Sequence, residues 1–315
     1  MKKIGLPRAL LYHKYSVFWH EYFSRLGCQL VVSPPTNKEI MARGINIAVD
    51  ESCLSVKIFL GHVDYLKDKV DYIFIPRIVS LRHGEFLCTK FMALVDIVRN
   101  SFDKINILTY TIDAGKFKGE SIGLFLMAKQ LNSNPFTRAL AYIQAKKKYK
   151  QHHQKLVNDQ VNKFKDRDNS NPLVLIVSHP YTTHDAFLGV PIVKFLESQG
   201  VDLVYSNIVD EDQARQLATN LSRDLYWTYH KYFLGAIELY RPHLDGIIFL
   251  MTFPCGPDSL VINLCQNKIK DIPIVVITLD ELQSEAGLKT RLESFVDILK
   301  IKASKLKYEA NTQKN

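Results

Sequence analysis

The sequence predicts an α/β protein with two doubly wound parallel-sheet domains of the Rossmann or flavodoxin type, joined by a helical connector. Short apolar runs of strand length alternate with helix-length segments in both halves of the chain. Turn-forming residues separate these segments, and a basic helical stretch lies between the two series. Strands that alternate with helices pair in parallel and are covered by helices on both faces.

The first half contains four predicted strands, at 3–7, 28–32, 72–75 and 104–109. An aromatic-rich helix is expected over 9–26, and it ends at Gly27, a residue typical of helix C-termini. A second helix is expected over 37–48, with Thr36 or Asn37 as its N-cap. These elements predict an open parallel sheet with helical cover.

The connector is a helical stretch from about 117 to 165 that becomes increasingly basic, with lysines at 146, 147, 148, 150, 155, 163 and 165. Residues 166–172 have turn composition, so we expect an N-terminal domain with the connector over 1–165 and a C-terminal domain over 166–315. In the second domain, strands are expected at 173–178, 202–205, 246–251 and 274–278, and helices include 186–199 and 286–301.

Composition limits the classes of function. The chain has 315 residues, 47% of them hydrophobic, which is enough for two domains with separate cores. Its start lacks the apolar region of a signal peptide and no apolar run is long enough to span a bilayer, so we expect a cytoplasmic protein. The net charge of +9 raises the question of nucleic acid. The basic helix lacks interleaved aromatic residues, however, and a nucleic-acid role is disfavoured.

The five cysteines are the main candidates for chemistry, and their odd number argues against a disulfide framework. Cys255 follows a predicted strand and precedes a helix start at Gly256-Pro257-Asp258. Free amides and the helix dipole would stabilise a thiolate there, and Gly256 would allow close approach of a bulky ligand. Cys53 and Cys88 also lie where a loop leads into a helix. An inert buried thiol remains an alternative for each of them.

Other motifs give weaker signals. Cys28 and Cys265 lie inside an apolar strand and a helix, and we interpret both as structural. The sequence has no C-x-x-C pair, no nucleotide-binding glycine motif and no G-x-S-x-G elbow. His179 follows the strand at 173–178 and has His184 five residues later, a spacing that defines no metal geometry. A hydrogen-bonded loop histidine is the favoured interpretation of both.

Several segments together resemble the 2-hydroxyacyl-CoA dehydratase family and its relatives described as CoA-substrate-specific enzyme activase-related proteins. The resemblance extends nearly end to end, and its most specific segments are 4–10, 33–37, 50–57, 75–77, 179–181, 255–258, 280–281 and 285–293. It implies a 4Fe–4S iron–sulfur cluster between two α/β domains, which in some relatives is part of a double-cubane cluster. The residues on the matching motifs, and hence the implied cofactor and metal ligands, are Cys53, Cys88 and Cys255.

The resemblance also implies a partner and a reaction class. The partner is a separate ATP-dependent activator of the actin-like ATPase fold, which supplies low-potential electrons for reductive or radical chemistry of anaerobic metabolism. The chain would then be a dehydratase, which is a lyase, or an ATP-dependent reductase component that acts on a CoA thioester or another small substrate. A homodimer or heterodimer away from the membrane is implied as well.

Further residues lie on the family motifs near the expected cluster. Arg8, Lys57, Arg77 and His179 would orient an anion or donate protons, with interdomain salt bridges as the alternative. Gly256 and Asp258 follow the third cysteine, and Asp258, Glu281 and Glu285 are also candidates for helix-start caps or interdomain acceptors. The chain departs from the family pattern at Thr89 and Pro254, where relatives have proline and glycine.

Two other functions fit the same sequence. One is a non-catalytic iron–sulfur protein for electron transfer or regulation, which would hold a redox-active cluster without turning over a substrate. The other is a metal-free protein whose two lobes close on a small ligand, with the cysteines in its core. Iron and sulfide content separates the second of these from every cluster-bearing alternative.

Overall fold

The computed structural model describes residues 1–116, 119–131, 133–167, 170–282 and 285–312, with the side chains of these residues except 285, 303 and 305–312. The strands are β1 (Lys3–Leu6), β2 (Gln29–Val32), β3 (Tyr72–Phe74), β4 (Arg77–Ser80), β5 (Ile107–Leu108), β6 (Thr111–Asp113), β7 (Leu173–Val177), β8 (Asp202–Tyr205), β9 (Gly246–Thr252) and β10 (Ile274–Leu279). The helices are α1 (Tyr12–Arg25), α2 (Lys38–Ile47), α3 (Leu54–Leu66), α4 (Thr89–Ser101), α5 (Glu120–Met127), α6 (Pro135–Lys165), α7 (Pro180–Thr183), α8 (Gly189–Ser198), α9 (Glu211–Leu221), α10 (Thr228–Tyr240), α11 (Gly256–Lys268) and α12 (Glu285–Thr312).

Two four-stranded parallel sheets organise these elements, which confirms the doubly wound α/β class. The first sheet has the order β2-β1-β3-β5, and the second, from its other edge, β8-β7-β9-β10. Each sheet therefore places its first strand between its second and third. The chain reverses its winding direction there, and the carboxyl ends of those strands flank the crevice where such folds bind ligands.

The second sheet forms the centre of the C-terminal half because its two inner strands are apolar except for Thr252 at the end of β9. Every residue of β7 and β9 is buried, as expected for parallel strands with helices on both faces. Gly246 begins β9 against α12, where a Cβ atom would come within 2.8 Å of the Phe295 ring. The absence of a side chain at this position lets α12 pack directly on the sheet.

The structure refines several predicted elements. The strand expected at 104–109 shortens to β5, and the predicted helical stretch at 117–165 divides into α5 and the long basic helix α6. The small parallel pair of β4 and β6 was not predicted from the sequence. The domain boundary after residue 165 stays a prediction; β1 to β6 precede it and β7 to β10 follow it.

Buried and half-buried contacts join the two halves. The Lys14 ammonium on α1 lies 2.7 Å from the Glu211 carboxylate on α9, and that of Lys57 on α3 lies 3.0 Å from Glu281, which follows β10. Within the described residues, no helix has both the length and the apolar character needed to cross a membrane.

Candidate functional site

The three cysteines on the family motifs occupy equivalent positions, each as the N-cap of a helix. Cys53 precedes α3, Cys88 precedes α4 and Cys255 precedes α11. All three side chains line one cavity. Because the first amides of a helix have no intrahelical partner, three helix N-termini bring their positive dipole ends to this cavity. The chain thus brings together three thiols that lie far apart in sequence.

Direct hydrogen bonds join the Cys53 loop to the Cys255 loop. The Leu54 amide, one residue after Cys53, donates to the Phe253 carbonyl at 2.9 Å. The Ser55 and Thr252 hydroxyls lie 3.0 Å apart, and both residues are buried. These contacts connect the start of α3 to the end of β9. The relative position of two of the three thiols is therefore fixed by backbone and side-chain bonds.

The Cys88 loop is joined instead to the segment that leads into α10. The Phe86 amide donates to the Tyr226 carbonyl at 2.9 Å, and the Thr228 amide donates back to the Phe86 carbonyl at 3.1 Å. This reciprocal pair has the geometry of a short parallel bridge. The Cys88 thiol thus reaches the cavity from a loop of the N-terminal half. This loop is bonded to the segment that precedes α10 in the C-terminal half.

Burial makes the thiolate form unfavourable for two of the cysteines. It raises the pKa of Cys53, with the nearby Cys88 adding to the rise and the Val56 amide opposing it. Burial and then the Asp258 carboxylate raise the pKa of Cys255 far above its ordinary value. A bound metal would favour the thiolate form instead, because its positive charge lowers the pKa of a coordinating thiol. Three thiols in a largely apolar cavity form a soft donor set of the kind that iron–sulfur clusters use.

A buried carboxylate and two imidazoles form the adjoining wall. One oxygen of Asp258, Oδ1, lies 3.0 Å from Nε2 of His179 and 2.7 Å from Nε2 of His230. His179 follows β7, Asp258 is in the first turn of α11, and His230 is in the first turn of α10. Both imidazoles line the same cavity as the cysteines.

The charges of this wall follow from its burial. Burial alone would raise the pKa of Asp258, but the hydrogen bonds and charge of His179 and His230 outweigh it and hold that pKa far below its usual range. Burial lowers the pKa of His230 in spite of its bond to Asp258. The wall therefore contains an ionised carboxylate that accepts from imidazole N–H groups.

Aromatic rings fix the orientation of His179. Its ring stacks on Tyr181 with centroids 4.8 Å apart and an angle of 7° between the planes. The Phe233 ring meets it edge-on at 4.8 Å. His230 also packs against Phe233, at 5.3 Å. These ring contacts restrict the rotation of both imidazoles beside Asp258.

The other predicted site residues lie outside this cavity. Lys57 pairs with Glu281, and Arg77 pairs with Asp96 at 2.7 Å. The Arg8 amide donates to the Ser33 hydroxyl at 2.8 Å, and its guanidinium lies over the Tyr12 ring.

Glu281 thus acts as an acceptor between the halves, one of its two proposed roles. The side chain of Glu285 lies outside the described residues. Asp258 contacts the imidazoles. Among the described residues, no atom lies within 4 Å of where a Cβ atom on Gly256 would be, which leaves room for a ligand to approach. Cys28 and Cys265 do not line the cavity, and Cys265 is fully buried in α11.

His230 and Lys90 also line the cavity, and neither was predicted from the sequence as a site residue. His230 lies in an aromatic-rich helix start, where nothing in the local pattern distinguishes it from a core residue. Its partner Asp258 is 28 residues away. Only the fold brings α10 and α11 together, so no spacing rule could have found the pair.

Together the fold and the site define an α/β protein with two parallel sheets and a cavity lined by cysteine and histidine. The profile of the CoA enzyme activase uncharacterised domain (DUF2229) matches residues 3–209. The chain belongs to this activase-related family. The matched range includes Cys53, Cys88 and His179, whereas His230, Cys255 and Asp258 lie beyond it.

Similarity to other proteins is distant. Solved structures similar to the chain include a Cd-bound periplasmic metal binding protein from Candidatus Liberibacter asiaticus, with 12% identity, 95% of this chain and 100% of that chain covered, and a TM-score of 0.29. A sugar transporter from Clostridium phytofermentans has 12% identity, with 88% of this chain and 80% of that chain covered and a TM-score of 0.21. Scores this low support no functional comparison. The chain matches none of the curated proteins.

Proposed function

We propose that this protein binds a 4Fe–4S cluster, single or as part of a double cubane, through Cys53, Cys88 and Cys255. In this proposal an ATP-dependent activator would supply low-potential electrons, and a cluster held by these cysteines would supply the reductive or radical chemistry for a small substrate, as in the 2-hydroxyacyl-CoA dehydratases. The observation that carries the proposal is the convergence of three N-cap cysteines on one cavity. Membership of an activase-related family supports the partner.

The residues of the chain would contribute in distinct ways. Three helix N-termini offset the negative charge of three thiolates. Three cysteine ligands leave a fourth position open to a substrate. The buried imidazoles of His179 and His230 line that cavity, and the Asp258 carboxylate accepts from both of them. Lys57 and Arg77 would join structural elements, since their charges are paired with Glu281 and Asp96 outside the cavity.

The test is the iron and acid-labile sulfide content of the full chain purified without oxygen. We expect a brown protein with about four irons and a reducible spectroscopic signal, because a cubane has that composition. Serine substitution of Cys53, Cys88 and Cys255 together should abolish iron binding. Matched controls are Cys28→Ser and Cys265→Ser, which change thiols outside the cavity and should leave the iron content unaltered.

The outcomes separate the alternatives. A colourless wild-type protein, or one whose iron survives the triple substitution, would overturn the proposal. If the cluster is present but no acyl-CoA is consumed with activator, ATP and reductant, the non-catalytic electron-transfer function replaces the catalytic one. Those assays also identify the substrate class directly.

A further inference from the structure

The helices α5 and α6 lie side by side, and the inner side of each contacts α1. The Tyr22 hydroxyl of α1 donates to the Leu124 carbonyl of α5 at 2.9 Å. The Phe18 ring of α1 meets the Tyr142 ring of α6, with centroids 6.1 Å apart. The residues buried on this inner side include Leu124 and Met127 of α5 and Ala141 and Ala145 of α6. The opposite side of both helices therefore faces outward.

The outward side of these two helices is largely apolar although it is exposed. Its large exposed side chains are Ile122 and Leu126 of α5 and Phe136, Leu140 and Ile143 of α6. Spacings of three and four residues place each set on one side of its helix. Phe136 is 77% exposed, and the five side chains together leave on the order of 500 Å² of apolar surface, a size at which exposed patches mark interaction surfaces.

Contacts between the two helices fix their relative levels. The Glu120 carboxylate, at the start of α5, accepts from the Tyr142 hydroxyl of α6 at 3.2 Å. Five residues further along α5, the Phe125 ring lies 5.3 Å from the Arg138 guanidinium of α6. The contact points advance along α5 and move back along α6, so the two helices run antiparallel. Position 124 of α5 is then level with about position 139 of α6.

A two-fold axis at this level matches each helix with its own copy. Ile122 and Leu126 lie two residues on either side of position 124, and Phe136 and Ile143 lie on either side of the level position of α6. An axis in the outward face and perpendicular to both helices would bring Ile122 of one copy onto Leu126 of the other. The same axis would bring Phe136 onto Ile143, so one symmetry operation buries both sets. Helices in near-antiparallel contact are a common packing arrangement.

Charge favours antiparallel copies over parallel ones. The outward row of α6 continues into Lys147, one turn after Ile143, and Lys147 is exposed. In the antiparallel pairing, Lys147 of one copy would lie opposite the uncharged Ser133 and Asn134 of the other. Parallel copies would instead place the two Lys147 side chains against each other, where like charges repel.

We propose that the outward face of α5 and α6 is the interface of a two-fold symmetric dimer of this chain. Burial of the face on both copies covers on the order of 1,000 Å² of apolar surface, and the polar residues around it bring the interface into the range of about 1,200–2,000 Å² that specific complexes bury. The dimer requires neither the cysteines nor a cluster, so it stands or falls separately from the proposed function.

The test is sedimentation equilibrium of the full chain. We expect the wild type to be dimeric. Phe136→Lys and Ile143→Glu should each raise the dimer dissociation constant by more than about 10-fold, because each places a charge in an apolar contact. Both side chains are exposed in the single chain, so the variants should fold as the wild type does. The matched control is Ile298→Glu, which changes an exposed isoleucine of α12 and should leave the dimer intact.

Mixtures of variants test the antiparallel register. Phe136→Lys mixed with Ile143→Glu would pair the two introduced charges at one end of the interface and keep the native contact of Phe136 with Ile143 at the other. This mixture should therefore dimerise although neither variant does so alone. Phe136→Lys mixed with Phe136→Glu should stay monomeric, because position 136 does not meet its own copy.

Three results would overturn the proposal. A monomeric wild type would leave this face to a different partner, and binding of that monomer to vesicles of anionic phospholipid would assign the face to a membrane surface. A dimer that survives both single substitutions would be held by another surface. Dimerisation of Phe136→Lys with Phe136→Glu, without recovery in the mixture of Phe136→Lys and Ile143→Glu, would exclude the antiparallel two-fold axis.

Discussion

Glu85 shows how one charged residue holds the Cys88 loop. Its carboxylate is almost fully buried and accepts from Arg215 on α9 and Lys231 on α10, at 2.6 and 3.2 Å. Burial would raise its pKa, but these two cations outweigh burial and lower it. The loop that carries Cys88 from the N-terminal half is therefore bonded electrostatically to two helices of the C-terminal half.

We expect Glu85→Gln to destabilise the protein by about 1–3 kcal/mol near neutral pH, because an amide replaces a charged acceptor of two cations. The wild-type carboxylate has a folded pKa below the ordinary 4.5, so its contribution is present above that value and is lost as the pH falls. Urea unfolding at neutral and acidic pH measures the difference, which should shrink in acid.

Glu39→Gln is the control for Glu85→Gln. It removes a carboxylate that pairs with Arg43 at 2.8 Å on an exposed helix surface. Exposed pairs of this kind contribute little, about 0.5 kcal/mol or less. An equal loss in both variants would show that the burial of Glu85 is unimportant.

At the scale of elements, α3 is positioned by unusually close packing against α2. A Cβ atom on Gly61 of α3 would lie 2.0 Å from the Ile40 carbonyl oxygen, and one on Gly44 of α2 would lie 1.8 Å from that of Lys57. These glycines allow the two helix backbones to touch. The helix that begins at Cys53 therefore packs against its neighbour at backbone contact distance.

We expect Gly61→Ala to destabilise the protein by about 1–3 kcal/mol, since an added methyl group cannot fit against a backbone atom. The control is Gly287→Ala, in the first turn of α12, where a Cβ atom would meet no atom of the described residues within 4 Å. This substitution should be neutral or stabilising by up to about 1 kcal/mol, because alanine favours helix. Thermal unfolding compares the two, and equal stabilities would disprove the packing argument.

The central strands and the place of each cysteine before a helix could be predicted from the sequence, but the assembled site could not. The uninterrupted apolar run of β9 and the helix signals after Cys255 are local, so they could be recognised. The β4–β6 pair has only short strands with polar ends, and its pairing depends on residues about 34 positions apart. The contact of His230 with Asp258 similarly depends on the docking of α10 beside α11. Sequence patterns report local conformation, whereas these features arise from packing.

At the scale of the whole molecule, Lys14 and Glu211 join the two halves within a group of aromatic rings. The Lys14 ammonium lies 2.7 Å from the Glu211 carboxylate and over the rings of Tyr229 and Tyr232, at 4.8 and 5.1 Å. The Tyr232 hydroxyl donates to the same carboxylate at 3.1 Å. Loss of the carboxylate charge would leave a buried ammonium without its anion, which weakens the contact between the halves.

The ion pair of Lys14 and Glu211 should make the contact between the two halves weaker in acid. Burial raises the pKa of Glu211, but the adjacent Lys14 charge outweighs it and lowers the folded pKa to about 2, below the ordinary 4.5. The pKa of Glu211 is lower in the folded protein than in the unfolded chain. The Glu211 carboxylate therefore stabilises the fold fully above pH 4.5, and this stabilisation is lost as the pH falls towards 2. Glu211→Gln should therefore be less stable than wild type near neutral pH, and the difference should disappear through that window.

The matched control for Glu211→Gln is Asp212→Asn, one residue along α9. Its carboxylate is 70% exposed and pairs with Arg82 at 2.6 Å. A solvated pair of this kind contributes little, so this variant should follow the wild-type acid profile. Free energies of unfolding in urea, measured from neutral pH down to pH 2, test both variants. If the free energy of unfolding of Glu211→Gln runs parallel to that of wild type at every pH, the Glu211 carboxylate does not make the contact between the halves pH-dependent. If instead the two profiles converge only in acid, α1 and α9 are held together by an ion pair that the surrounding aromatic rings shield from water.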